Sequence, residues 1–282
     1  MNAVINAYSR GLFSYIGAEG NGAVALLLGG ILLSAVIGYF LGSLNFALIL
    51  SGKLYKDDIR KYGSKNAGMT NMMRTYGSKA AGLTILGDML KAIVAVIIGS
   101  FIMGHMFGGY AAAFGCVVGH VFPAYYGFKG GKGVATAAAA ILMLDWRAFL
   151  IVLAVFVLCV VFTRYISLGS VLSAAIFPLI TFYSYHQIEA GRVYSGGWFA
   201  FMSALLIALL VIVKHHENIS RLAHGTENKF SFKKSKKTEN ENKKRQNHEV
   251  NNVKIHRKSR KRDISGHSFK RTCNFPRNSH KL

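Results

Sequence analysis

Residues Gly119–Thr136 read GHVFPAYYGFKGGKGVAT, and the rest of the chain is organised around this stretch. An apolar run ends at Pro123, and the glycine-rich segment Phe128–Gly133 then opens into a helix of small residues. Glycines let the backbone curl and leave N–H groups uncovered, lysines supply positive charge, and a helix begins with its positive dipole end. These properties suit an anion the size of phosphate. The alternative is a glycine-rich turn between two membrane helices with ordinary cytoplasmic lysines.

The stretch is not a nucleotide-binding P-loop. That motif requires glycine where Tyr126 stands, and it requires Ser or Thr directly after the lysine, where Gly133 follows Lys132. The three cysteines are scattered, two inside apolar runs and one in the tail, so they form no disulfide framework or metal site. We therefore expect no cofactor and no bound metal.

The composition predicts a membrane protein. The chain has 282 residues, of which 52% are hydrophobic and 16% charged, with a formal net charge of +22. Apolar runs of nearly helix-spanning length predict an all-α polytopic fold with about seven transmembrane helices in residues 1–227. Residues 228–282 are rich in Lys, Asn and Ser and poor in aromatic residues, which predicts a disordered basic tail. Met1–Gly22 is neither apolar nor basic enough for a cleavable signal.

Charge in the loops predicts the orientation of the spans. Gly52–Lys79 carries seven basic residues against two aspartates, so it faces the cytoplasm and the N-terminus lies outside. The C-terminus is then cytoplasmic, and the conspicuous polar clusters all lie on the cytoplasmic side. Val134–Leu144 is short for a span, so a re-entrant or tilted segment is the alternative there. The expected spans are Ala23–Leu50, Ala80–Met103, Tyr110–Tyr126, Val134–Leu144, Ala148–Thr163, Ser167–Tyr185 and Trp198–Val213.

Two polar clusters in the first part of the chain are candidates for ligand binding. Ser43 lies late in an apolar helix, where its hydroxyl either contacts a ligand or bonds a carbonyl one turn back. The segment Arg60–Asn71, RKYGSKNAGMTN, contains mostly hydrogen-bond donors and glycines beside basic residues. This profile favours an anionic ligand, and the alternative is a loop that grips lipid headgroups. Its candidate donors are Ser64, Asn66, Thr70 and Asn71.

Two further clusters lie later in the chain. Asp88 and Lys91 fall three residues apart inside a span, so we expect an ion pair, with orientation of the loop lysines as the alternative. His215 and Asn218 follow the last span and share a helical face, although a lone histidine at this position is more often structural. Because all four clusters reach one leaflet, a shared site is favoured over unrelated surface loops.

The motifs together resemble, in order, the signatures of a bacterial enzyme family, the acyl-phosphate-dependent glycerol-3-phosphate acyltransferases (PlsY family). These are GSLN at Gly42–Asn45, GSKNAGMTN at Gly63–Asn71, the stretch Gly119–Thr136, and HHENISRLAHGTEN at His215–Asn228. The family usually has proline where this chain has Asn45, so the resemblance does not carry a helix break to that position.

The resemblance implies seven membrane helices, a site facing the cytoplasm and location in the bacterial plasma membrane. The implied reaction joins acyl phosphate and sn-glycerol 3-phosphate to give lysophosphatidate and phosphate, the first step of phospholipid synthesis. The HxxxxD pattern of acyltransferases that use CoA or a carrier protein is missing, because Tyr125 lies five residues after His120 and Ser220 five after His215. Nor is a Ser-His-Asp or Cys-His arrangement evident, so we expect no acyl-enzyme.

Residue roles follow by motif match to that family. The resemblance places substrate phosphates on Ser43, Arg60, Lys129 and Lys132, and glycerol 3-phosphate beside His215 and Asn218. It places the backbone of Gly130 and Gly131 against the acyl phosphate, with the acyl tail between helices along Val134–Ala140. His215, a substrate phosphate and water remain alternatives as acceptor of the hydroxyl proton.

Two other functions compete with this one. An anion or phosphate transporter without acyl transfer would use the lysine loop as a phosphate site, but it would be expected to place polar groups near mid-membrane. A tail that tethers nucleic acid or anionic lipid is the second rival. The tail lacks interleaved aromatic residues, so we expect association with membrane lipids and no nucleic-acid partner.

Overall fold

The computed structural model describes residues 11–12, 20–189 and 196–229, and every regular element in these ranges is helical. Most of the lead-in, the expected external loop at 190–195 and the predicted tail from residue 230 onward lie outside the described residues. The α-helices of the described ranges are α1 Gly20–Gly42, α2 Phe46–Tyr55, α3 Met69–Tyr76, α4 Ser78–Met103, α5 Tyr110–Val121, α6 Val134–Leu144, α7 Trp146–Thr163, α8 Ile166–Glu189, α9 Gly196–Val213 and α10 His216–Ala223.

The all-helical membrane architecture is confirmed, but the expected count of seven spans is not. Within the described residues, 4 helical stretches are long and apolar enough to cross a membrane, or up to 5 if α9 and α10, bent by 57°, form one span. One of the four, Ser78–Tyr126, is 49 residues long and contains two of the expected spans. The chain folds back within it, since a π-helical turn at Gly104–Gly109 separates α4 from α5 and the two helices pack together.

The backbones of helices α1 and α5 are in direct contact. A Cβ atom on Gly42 would meet the carbonyl of Cys116, and a Cβ on Gly119 would meet the carbonyl of Tyr39. Gly38 and Gly115 make the equivalent contacts one turn away. Glycines four residues apart on both helices are the pattern that lets membrane helices pack without intervening side chains. This packing anchors the end of α5, from which the stretch Gly119–Thr136 continues.

The first expected span, Ala23–Leu50, is broken in the structure. Helix α1 ends at Gly42 and α2 starts at Phe46, where Asn45 caps the new helix by accepting a hydrogen bond from the Leu48 N–H at 3.1 Å. Asn45 also donates to the Ala67 carbonyl at 3.3 Å. Asparagine is a strong helix N-cap, so this chain makes the break without proline.

Buried charges stabilise the break. The expected ion pair forms, with Lys91 Nζ 3.0 Å from Asp88 Oδ1 and both side chains almost fully buried. Lys91 also donates to the carbonyls of Gly42 at 2.8 Å and Leu44 at 2.9 Å, and Asp88 accepts from the Phe46 N–H at 3.3 Å. The pair therefore binds the backbone groups that a helix leaves unpaired where it is interrupted.

The expected polar loop Gly52–Lys79 contains regular structure. Helix α2 extends into it to Tyr55, a short 3-10 turn covers Ile59–Lys61, and α3 precedes the first turn of α4. The amphipathic helix α3 packs on α4 and presents Thr70 and Arg74, four residues apart, on one face.

Candidate active site

A cavity of about 900 Å³ opens where four parts of the chain meet. Its polar mouth is formed by the segment Gly63–Asn71, the turn at Lys129–Gly133, the start of α8 and the junction of α9 and α10. The rest of the lining is mostly apolar and comes mainly from helices α4 and α6 to α9, with Asp88 and His120 among its few polar members. A cationic mouth above an apolar interior suits an amphipathic ligand with an anionic head.

The glycine-rich turn reaches the cavity in a conformation that sequence reasoning did not foresee. The N–H groups of Gly130 and Gly131 donate to the carbonyls of Val121 and His120, both at 3.1 Å. These two N–H groups are therefore not available to an acyl phosphate, whereas Gly130 itself lines the cavity, and contact of the glycine backbone with the acyl phosphate stays a prediction. A Cβ on Gly131 would collide with the His120 ring and the Ala67 carbonyl, so glycine is required for close packing.

Lys132 enters the cavity from this turn. Its Nζ donates to Asn218 Oδ1, which joins the turn to α10 across the mouth. Burial, and next the charge of Arg221, lower the pKa of Lys132 to about 8. Lys129 also lines the cavity, but its side chain is exposed.

Glu227 accepts hydrogen bonds from three side chains, two on α10 and one on α8. Its Oε1 accepts from Asn218 at 2.6 Å and from Ser167 Oγ at 2.8 Å, and its Oε2 accepts from Arg221 Nε at 2.7 Å. Burial raises the pKa of Glu227, but these three hydrogen bonds outweigh burial and leave the pKa below its ordinary value. Glu227 is therefore a carboxylate at neutral pH that fixes α10 against the start of α8.

His215 is buried beside Asn218 at the cavity mouth, as expected from their spacing. Its Nδ1 lies 2.7 Å from the Val211 carbonyl. Because a carbonyl only accepts, Nδ1 carries the hydrogen and the lone pair of the neutral ring is on Nε2. His215 therefore has an acceptor atom that its own helix does not use.

Arg60 does not line the main cavity, in contrast to the expectation. Its Nε and Nη2 pair with Asp58, at 2.7 Å for the closest contact, and lower the pKa of that carboxyl. Its Nη1 donates to the carbonyls of Tyr126 at 2.8 Å and Lys129 at 3.0 Å. Arg60 thus holds the turn that carries Lys129. It lines an adjoining cavity of about 590 Å³, which shares Lys65, Lys129 and Gly130 with the main one.

Ser43 also lies apart from the lining of the main cavity. Its Oγ donates to the Tyr39 carbonyl one turn back at 2.8 Å and accepts from the Ala124 N–H at 3.3 Å. The geometry matches the structural alternative stated for this residue, with the added contact to Ala124. Ser43 therefore ties the end of α1 to the chain that leaves α5.

Of the four candidate donors in Gly63–Asn71, all line the cavity, but Asn71 is committed to its own loop. Asn71 Oδ1 accepts from the Ser64 N–H at 3.1 Å. Its Nδ2 lies 3.0–3.2 Å from the carbonyls of Ile59, Tyr62 and Asn66. Asn71 is fully buried and organises the loop, which leaves Ser64, Asn66 and Thr70 as the side chains available at the mouth.

Several cavity residues were not singled out as site residues from the sequence. Arg74 is one of the seven basic residues of Gly52–Lys79, and its spacing from Thr70 places both on one helical face. Lys214 lies with its Nζ 5.0 Å from the Phe122 ring centre, and Ser167 and Ser170 share a face of α8. The cations that line the main cavity in the described part of the chain are Lys65, Arg74, Lys129, Lys132, Lys214 and Arg221.

The fold and cavity define an integral membrane protein with a cavity whose cationic mouth continues into a largely apolar interior. Comparison with known proteins identifies its family. The profile of the family described as glycerol-3-phosphate acyltransferase matches residues 32–225, and the chain belongs to this family of membrane acyltransferases.

Individual relatives agree with the family assignment. A glycerol-3-phosphate acyltransferase of Trichlorobacter lovleyi is 46% identical over 193 residues, which cover 68% of this chain and 93% of the relative. One from Clostridioides difficile is 39% identical over 205 residues, covering 71% and 95%. The crystal structure of PlsY, an integral membrane glycerol 3-phosphate acyltransferase, in its glycerol 3-phosphate form has a TM-score of 0.61 at 30% identity and covers 71% of this chain and 96% of that one.

Proposed function

We propose that this protein transfers an acyl group from acyl phosphate to sn-glycerol 3-phosphate, giving lysophosphatidate and phosphate as the first step of phospholipid synthesis. The observation that carries the proposal is the single cavity in which a cationic mouth continues into an apolar interior. An acyl phosphate has an anionic head and one apolar tail, so its two ends match the two parts of the cavity. The second substrate is a small anion that binds at the mouth alone.

Bringing two phosphates together costs free energy that the protein must offset. At 4–5 Å and an effective dielectric constant near 20, two unit negative charges repel by roughly 3–4 kcal/mol. Lys132, Arg74 and Arg221 line the cavity from three different segments. We therefore assign the phosphate-binding role to these three cations, with Ser64, Asn66 and Thr70 as neutral donors.

The chemistry requires no covalent enzyme intermediate, because an acyl phosphate is an activated mixed anhydride. The glycerol hydroxyl oxygen bonds to the carbonyl carbon, and the bond from that carbon to the phosphate oxygen breaks. The hydroxyl proton passes to His215 Nε2 or to the departing phosphate. Because the N–H groups of Gly130 and Gly131 are paired, the developing oxyanion is stabilised by the Lys132 ammonium.

The site is proposed to face the cytoplasm of a bacterial cell. The basic segment that includes Lys53, Lys61 and Lys65 favours this side by the positive-inside rule. Single-cysteine variants at Lys65 and Lys129 in a cysteine-free background would test the orientation in whole cells. Both are expected to resist a membrane-impermeant maleimide until the membrane is permeabilised, and labelling of either from outside contradicts the assignment.

The donor is tested directly with the purified full-length protein. Palmitoyl phosphate, palmitoyl-CoA and palmitoyl carrier protein are compared with glycerol 3-phosphate as acceptor, and lysophosphatidate is measured. Of the three donors, we expect only palmitoyl phosphate to support sustained turnover. We expect phosphate release only when both palmitoyl phosphate and glycerol 3-phosphate are present. Turnover with the thioesters, or phosphate uptake into proteoliposomes without acyl transfer, would contradict the proposal.

A further inference from the structure

Apolar side chains from helices α6, α7 and α8 line the inner part of the cavity. Phe177 of α8 and Ile141 of α6 line the cavity and are 1% and 5% exposed. They belong to one packed cluster that also contains Val152, Ala148 and Ala204. Phe149 packs against the same cluster and lines the cavity from α7. We call Phe177, Ile141 and Phe149 the floor residues.

The distance from mouth to floor follows from helix geometry. Ser167 lies at the mouth and Phe177 at the floor, ten residues apart on α8. At 1.5 Å rise per residue the cavity is about 15 Å deep along this helix. The hydrocarbon core of a bilayer is about 30 Å thick, so each leaflet offers about 15 Å to its acyl chains. The cavity thus has the depth of one leaflet.

From this geometry we infer that the floor residues limit the length of the acyl chain that the enzyme transfers, with Phe177 as the principal determinant. The inference rests on the proposed function and extends it to substrate selection. With the acyl phosphate head held at Lys132, a longer chain meets the Phe177 ring, because the packed cluster continues directly behind it. A chain that reaches the floor without pressing on it buries the most apolar surface.

Substitutions at two positions of α8 are expected to change the depth of the cavity in opposite directions. Phe177→Leu and Phe177→Ala deepen the cavity, whereas Ala174→Phe places a ring about one turn nearer the mouth, since Ala174 also lines the cavity. Phe162 of α7 is 81% exposed and outside the cavity lining, so Phe162→Ala is a matched control for loss of an aromatic ring. If Phe177→Ala does not fold, the conservative Phe177→Leu variant and Ala174→Phe still test the inference.

The experiment measures kcat/KM for myristoyl, palmitoyl, stearoyl and arachidoyl phosphate with glycerol 3-phosphate in excess. For Phe177→Leu and Phe177→Ala we expect the ratio of stearoyl to myristoyl phosphate to rise by at least about fivefold, equivalent to about 1 kcal/mol. For Ala174→Phe we expect that ratio to fall by a similar factor, and for Phe162→Ala we expect no change.

The outcomes separate this inference from the proposed function. If Phe177→Leu and Ala174→Phe both turn over acyl phosphates with an unchanged chain-length ratio, the floor residues do not limit the length of the acyl chain. The proposed acyl transfer would still stand. An equal change in Phe162→Ala would also overturn it, because the effect would then not come from the cavity. Wild-type protein that turns over none of the acyl phosphates would refute the proposed function itself.

Discussion

Replacing Lys132 by alanine is expected to lower kcat/KM by about 10- to 150-fold. Lys132 is the cation that joins the glycine-rich turn to α10 through Asn218, and it lines the cavity at its mouth. Hydrogen bonds to charged groups contribute about 1.5–3 kcal/mol each, which converts to this range of rates if the ammonium binds phosphate in the transition state. Lys53→Ala is the matched control, because Lys53 is exposed and lies outside the cavity lining.

The pH dependence gives the sharper test of Lys132. Its pKa is lowered to about 8, mainly by burial, so the free enzyme carries the ammonium below that pH and loses it above. Substrate phosphates have their second pKa near 6 and do not titrate in this range. We therefore expect kcat/KM to fall about tenfold for each unit of pH above about 8. A bound phosphate raises the pKa of Lys132, so the fall in kcat occurs at higher pH than the fall in kcat/KM.

Lys132→Arg separates the charge from other effects of pH. Arginine stays protonated far above pH 8, so a variant that retains activity should show a flat profile where the wild type declines. Both profiles are measured from about pH 6.5 to 9.5 at constant ionic strength, with acyl-phosphate hydrolysis subtracted. A wild-type profile that is flat to pH 9.5, or an identical decline in Lys132→Arg, would refute the reasoning.

Three further predictions follow from the contacts at the site. Arg74→Ala should lower kcat/KM more than Arg60→Ala, because Arg74 lines the cavity and Arg60 is held by Asp58, and equal losses in steady-state kinetics would contradict the assignment. Glu227→Gln should raise KM for glycerol 3-phosphate by about tenfold in steady-state kinetics, because it loses the charge that holds Arg221, and an unchanged KM would contradict this role. Asp88→Asn leaves the Lys91 ammonium without its anion, a cost of about 3–5 kcal/mol, so the melting temperature in detergent should drop by at least about 5 °C, and an unchanged value would count against the buried pair.

The helices were predictable from the sequence because long runs of apolar residues indicate membrane-spanning helices. Each apolar run is helical, although the first is split into α1 and α2, and the Asp88–Lys91 pair forms at its expected spacing. Helix ends were less predictable. The break at residues 43–45 depends on Asn45 capping α2 and bonding to the distant Ala67 carbonyl, and a long-range contact of this kind leaves no periodicity in the sequence.

The site was predictable as a set of segments but less so residue by residue. Lys132, His215 and Asn218 meet at one cavity, as expected. Arg60 and Ser43 have the side chains of phosphate ligands, but their hydrogen bonds go to the protein's own chain. The composition of a loop and its match to a motif indicate which hydrogen-bond donors the loop contains. Which donors a ligand can reach depends on how the loop folds, and a sequence pattern does not encode that directly.

The helix break and the buried ion pair explain each other. A continuous helix through residues 42–46 would consume the Gly42 and Leu44 carbonyls, and the buried Lys91 ammonium would then have only the Asp88 carboxylate and the His120 ring as partners. Without the lysine, the same carbonyls would be unpaired at the break, which is equally costly in a membrane. The arrangement therefore requires an interrupted helix opposite Lys91. Any residue that interrupts the helix at this position satisfies the requirement. Asn45 has φ −84°, near the range that proline imposes, so a proline at position 45 would meet the same requirement by a different means.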